Sequence, residues 1–142
     1  PMHYNSIDHF LTVHEPDIAA LIEDAERVTG GHYAAMAPDQ LHRTAQSDAR
    51  ELIAGLRAAH VDRDVVQETA RQTETQGIAL DDLTRMSIEI ERRFIPYIQA
   101  ELAEQPEFAA DLVRRCRHIT AGYRSNVTAV KLDRALGRLK HS

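Results

Sequence analysis

EFAADLVRRCRHITAGYRSNVTAVKLDRALGRLKHS, residues 107–142, holds no proline and only two glycines, Gly122 and Gly137. Apolar side chains recur at Leu112, Cys116, Ile119, Tyr123, Val127 and Val130, in steps of three and four that place them on one side of a helix. That stripe stops at Arg134, and a second one runs through Ala129, Leu132, Leu136 and Leu139. Two stripes on one uninterrupted segment predict a long helix over about 107–142 whose seam seeks another helix. Lys140-His141-Ser142 offers neither a capping glycine nor a proline stop, so the helix is expected to run on into a further segment, as in a module taken from a longer chain.

Helical spacing continues upstream. Ser6 can cap a short helix from Ile7 to Val13, and Pro16 suits the first turn of a separate one, because its missing N–H costs nothing there. Ile18, Leu21, Ile22, Ala25 and Val28 mark the inner face of that second helix, which Gly30-Gly31 ends. Tyr33 lies in a short connector. Pro38 opens a helix facing inward with Leu41, Ala45, Ala49, Leu52, Ile53 and Leu56. Asp62 caps the next, through Val65, Val66 and Ala70, and Gly77 breaks it. Asp81 is expected to cap a helix over 82–102, apolar on two sides: Leu83, Met86, Ile90, Phe94 and Ile98 on one, Ile88, Ile95 and Leu102 on the other. Pro96 lies inside it and predicts a bend, since it removes the bond to the Arg92 carbonyl. The last helix begins near Pro106. No strand-like alternation occurs, so the fold class is all-α, in one domain over residues 1–142.

Composition narrows the function classes. A net charge of −5 argues against a broad nucleic-acid surface. The late basic residues, such as Arg114, Arg124 and Arg138, mostly lie off the apolar seam and read as a solvated face. A single cysteine excludes an internal disulfide and fits a reducing, cytoplasmic setting. No stretch approaches the roughly 20 apolar residues that span a bilayer, so no membrane partner is expected. No signal peptide is expected ahead of the domain, and Pro1 before Met2 reads as a cleavage scar.

Chemistry is sparse. Helical metal sites place two ligands one turn apart, yet none of the eight histidines is paired at i, i+3 or i, i+4. Cys116 and His118 fall on opposite sides of a helix. Glu-x-x-His, Gly-rich phosphate loops, Gly-x-Ser-x-Gly and Cys-x-x-Cys are all absent. Asp81, Asp82, Glu89 and Glu91 beside Arg85, Arg92 and Arg93 read as surface pairs. No catalytic, cofactor-binding or metal-binding residue is therefore expected, and the chain does not read as an enzyme.

The pattern Phe10-Leu11, Glu15-x-x-Ile18-Ala19, Tyr33, Leu41, Leu52-Ile53-x-x-Leu56 resembles the N-terminal sensor domains of RsbR-type stressosome proteins. The stretch ARQTETQGIALDDLTRMSIEIERRFI, residues 70–95, strengthens the likeness: a helix, Gly77, the turn Ile78 to Leu80, an acidic cap at Asp81-Asp82 and a long apolar helix. The likeness covers residues 6–136. It implies a globin-like bundle that holds no haem; the helical periodicity, with proline, glycine and aspartate at the joints, predicts about six to eight helices. The likeness also implies a homodimer whose last helix passes a signal to a downstream output domain such as STAS, in response to an unknown small-molecule or protein ligand. Two observations from the residues agree with a dimer: the doubly striped last helix, and the two-sided helix over 82–102. The expected interface and signalling helix comprise Ile119, Tyr123, Val127, Val130, Leu132, Leu136 and Leu139. The alternative is a haem-binding globin sensor, with His118 or His42 as candidate iron ligands and His60 set aside because it lies near a helix end; a small helical enzyme and a plain structural adaptor are further alternatives.

Overall fold

The computed structural model describes residues 3–140. They form five α-helices and no strand: α1 (Ile7–Thr29), α2 (Pro38–Ala58), α3 (Arg63–Gln76), α4 (Leu80–Glu101) and α5 (Pro106–Lys140). A short 3-10 helix, Gly31–Ala35, joins α1 to α2. The fold is an all-α bundle with a long C-terminal helix, built from fewer helices than the six to eight expected. His141 and Ser142 lie outside the described residues.

The shortfall begins in α1, which runs unbroken where two helices were expected. Its buried residues, Phe10, Leu11, His14, Ile18, Ile22, Ala25, Glu26 and Thr29, keep helical spacing across Pro16 because His14 continues the stripe. Pro16 and Thr12, whose carbonyl loses its partner, are both exposed, so water can satisfy that carbonyl. Ser6 caps the start by accepting the His9 N–H at 3.0 Å. Val28, placed inward from the sequence, is 60% exposed. Replacing Pro16 by Ala should raise stability by about 1–2 kcal/mol, because Ala restores a helical hydrogen bond worth more than the chain stiffness it gives up. At the first turn of a separate helix the same change would be neutral or harmful. A urea titration distinguishes the two.

The turn after α1 explains why Gly31 is glycine. Its φ is +55°, and a Cβ there would lie 2.5 Å from Oδ2 of Asp82 on α4. Asp82 accepts the His32 N–H at 3.4 Å and pairs with Arg85. The cap of α4 is therefore not Asp81, whose side chain is largely exposed; α4 starts at Leu80, behind Ala79, which makes no side-chain cap.

Elsewhere the joints follow the residues. Pro38 opens α2, and all six of its expected inward residues are buried. Asp62 caps α3 by accepting the N–H groups of Asp64 and Val65 at 2.8 and 3.3 Å, and Gly77 closes it with φ +75°. On α4 the stripe Leu83, Met86, Ile90, Phe94 and Ile98 is buried. Its other side is only partly covered: Leu102 is buried, Ile95 half-buried and Ile88 40% exposed. Pro96 lies within α4, which continues through it. Helix α5 lies across α4, α3 and α2. Two glycines let it come close: a Cβ on Gly55 of α2 would meet Ile119 at 3.2 Å, and one on Gly122 would meet Val61 at 3.1 Å.

Candidate functional site

The long helix splits the seven residues assigned to a dimer seam. Ile119 and Val127 are buried in their own protomer, and Tyr123 and Val130 are partly buried against the same core. Ile119 and Val127 are thus used by the protomer's own core, and Tyr123 and Val130 keep only part of their surface outside it. The second stripe stays outside: Leu132 is 59% exposed, Leu136 49% and Leu139 70%. Polar contacts hold the helix in this rotation. Lys131 Nζ donates to Thr73 Oγ1 at 3.1 Å and to the Ile78 carbonyl at 3.3 Å, and Arg134 and Arg138 pair with Glu74 at 3.1 and 3.7 Å.

Where α5 passes α2 and α4 it closes one wall of a cavity of about 550 Å³. Leu52 and Gly55 of α2, Val65 of α3, Met86 and Ile90 of α4 and Ile119 of α5 make its apolar lining. Ser87, Thr120 and Tyr123 add hydroxyls, and Asp48 and Glu51 give it an acidic side. Thr120 and Ser87 are held by neighbours: Thr120 donates to Glu91, and Arg124 bonds Ser87 Oγ at 3.1 Å and Glu91 at 3.3 Å.

Behind Asp48 lies Glu26 of α1, with no exposed surface; no nitrogen or hydroxyl group donates to its oxygens, and its polar neighbour is the Asp48 carboxyl. A carboxylate so placed is costly, and the group responds by keeping its proton. Burial first, then the nearby charges of Asp48 and Glu23, raises Glu26 far above the ordinary carboxylate range. Asp48 is raised less, by burial and by Glu51, because a hydrogen bond with Glu26 favours its charged form. Together they make a carboxylic acid and a carboxylate that share one proton. Burial and the same acids also raise the phenols of Tyr33 and Tyr123. Cys116 is wholly buried on α5, and burial pushes its thiol up to about 12.

A second polar group lies at the far end of α1. Tyr4 Oη bonds His14 Nε2 at 2.6 Å, His14 Nδ1 bonds Tyr97 Oη, and Tyr97 donates to Asp17 at 3.0 Å. Each ring nitrogen has a hydrogen-bond partner, and Nδ1 also lies 3.7 Å from Asp17, so this chain ties the N-terminus and α1 to α4 as a satisfied structural network.

The sequence did not single out Glu26, Asp48 or His14. The signal was present, since each sits on an apolar stripe: Glu26 four residues after Ile22, Asp48 four before Leu52, His14 four before Ile18. A charged or titratable residue at a core position is rare unless it is paired. The histidines weighed as haem ligands are dispersed. His42 is exposed and bonds Glu23 at 2.6 Å, His118 is exposed, and His60 lies at the cavity beside Val61. Among the described residues no cluster of three or more His, Cys, Asp or Glu side chains is placed to hold a metal ion. No helix among them is long and apolar enough to cross a membrane. Against protein-family models, curated proteins and solved structures, the chain finds no match.

Proposed function

We propose that this chain is a sensory and dimerisation module of a bacterial signalling protein, of the kind that its resemblance to RsbR-type sensor domains implies. It pairs with a second copy through the outward stripe of α5 and passes a signal along that helix to a downstream output domain such as STAS, without catalysis of its own. The observation that carries this reading is the double use of α5: Ile119, Thr120 and Tyr123 line the cavity, and Leu132 and Leu136 face outward further along the same helix. The roughly 20 Å between residues 119 and 132, at 1.5 Å per residue, is bridged by one continuous helix. A change in the cavity wall therefore shifts or turns the exposed end directly, as a helix displacement at an interface requires.

Sedimentation velocity tests the dimer. The wild type should be dimeric at micromolar concentration, and the double variant Leu132→Glu with Leu136→Glu should be a helical monomer. Each leucine buried in a symmetric contact contributes roughly 1.5–3 kcal/mol, so the double change weakens association by more than about a hundredfold. Val130 is the wrong place for this test, since a charge there would disrupt the protomer's own packing. A monomeric wild type, or a double variant that stays dimeric, would sink the proposal.

A further inference from the structure

We propose that the cavity between α2, α4 and α5 binds a small organic cation, a protonated amine carried on an apolar body. The apolar lining of Leu52, Val65, Met86, Ile90 and Ile119 suits a hydrocarbon chain or ring, and the volume of about 550 Å³ is within the range of small-molecule sites. The polarity of the wall is one-sided. Asp48 and Glu51 face the space, and Glu26 stands directly behind Asp48 with both oxygens lacking any nitrogen or hydroxyl donor. Asp48, on the cavity side of the pair, forms no ion pair with an arginine, lysine or histidine among the described residues, so its face toward the cavity is open to a cationic donor from outside.

The charges around the pair leave that place open. On α1 the neighbour of Glu26 is Glu23, another acid, whose Oε1 is already bonded to His42. Tyr33 and Tyr123 approach from the 3-10 helix and α5 as neutral phenols, and α4 faces the cavity with Met86, Ser87 and Ile90. Arg50 is in the lining, but among the described residues it forms no ion pair with Asp48 or Glu51. In the loop, His60 bonds the Ala58 carbonyl and Asp62 caps α3. An ammonium group donates three N–H bonds. Set against Asp48, it pairs with that carboxylate while Glu26 behind it keeps its proton.

The proposal gives the ligand class for the sensory reading and rests on it only for the ligand's purpose. Titration and sedimentation fail independently of one another. Isothermal titration calorimetry of the full chain at pH 8 should use n-hexylammonium and phenethylammonium, with hexanol and hexanoate for comparison. The ammonium probes should bind at least about tenfold more tightly than hexanol, the advantage of a charge-assisted bond over a neutral one, and hexanoate should not bind. Affinity should fall between pH 8 and pH 5.5, because Asp48, raised by burial and by Glu51, takes up a proton as the pH drops. The variant Asp48→Asn should lose at least about tenfold in ammonium affinity while hexanol binding, which reports an intact apolar cavity, is retained. Hexanol binding as tightly as hexylammonium, failure of both ammonium probes to bind, or unchanged affinity in Asp48→Asn would each overturn the assignment.

Discussion

Replacing Glu26 by Gln should make the protein more stable at neutral pH and flatten its dependence on pH. Glu26 holds its proton in the folded state because burial and neighbouring acids raise it from an ordinary value of 4.5. An acid whose pKa is raised on folding stabilises fully below its unfolded pKa, and that contribution is lost as pH climbs toward the folded value. The loss proceeds at about 1.4 kcal/mol per pH unit while the unfolded chain is ionised and the folded one is not. Between pH 5 and pH 7 the wild type should therefore lose on the order of 2–3 kcal/mol relative to Glu26→Gln. Carboxylates lowered by arginine partners, such as Glu89 beside Arg93 and Arg92, act in the opposite direction, but their contribution is lost only as pH falls below the ordinary carboxylate range. Asp48, raised by burial and Glu51, also titrates between pH 5 and pH 8 in both proteins, so the difference between wild type and Glu26→Gln, not the wild-type curve alone, reports the buried acid. Urea titrations of both proteins at four pH values across it provide the check. A difference between them that does not grow with pH would mean that Glu26 is ionised or solvated in the folded state.

Truncating Phe10 should cost more than any other change discussed. Its ring is fully buried, edge-on to Tyr4 with centroids 5.0 Å apart and tilted on His14 at 4.4 Å. Phe10→Ala removes that ring and leaves a cavity beside the Tyr4–His14–Tyr97 network, for about 3–5 kcal/mol. Domains of this size have about 5–15 kcal/mol in all, so the variant should melt roughly 10 °C lower or more. Val28→Ala, on the exposed side of the same helix, should change stability by less than about 0.5 kcal/mol. A Phe10→Ala variant within about 1 kcal/mol of wild type would show that the N-terminal half of α1 is not part of the core.

Most of the helical framework could be read from spacing and punctuation. Pro38, Asp62, Gly77 and Pro106 act locally, through a fixed φ, a side-chain cap or a left-handed turn, so their effect is written in the sequence beside them. Two joints misled because tertiary contacts overrode the local signal. Pro16 opens no helix, since the buried face of α1 continues past it on the side away from the ring. Asp81 caps nothing, because its neighbour Asp82 is drawn back to the Gly31 turn some 50 residues earlier. Spacing also found both stripes of α5 but could not say which one the bundle would use. That choice is made by Gly122, Lys131 and Arg134 meeting Val61, Thr73 and Glu74, contacts between residues far apart in sequence. The cavity was beyond reach for the same reason. Its acidic wall was within reach, had acids on apolar stripes been weighed as core residues.

The lone thiol gives this chain its own unfolding clock. Thiolates, not thiols, react with alkylating reagents, and Cys116 combines zero exposure with a thiol pKa of about 12. A reagent such as iodoacetamide meets the sulfur only in molecules whose α5 has lifted from the bundle. The labelled fraction, read by mass after a timed pulse, thus counts opening events of the very helix that joins cavity to outlet. It needs no added probe, and a ligand seated in the cavity registers as a slower tick.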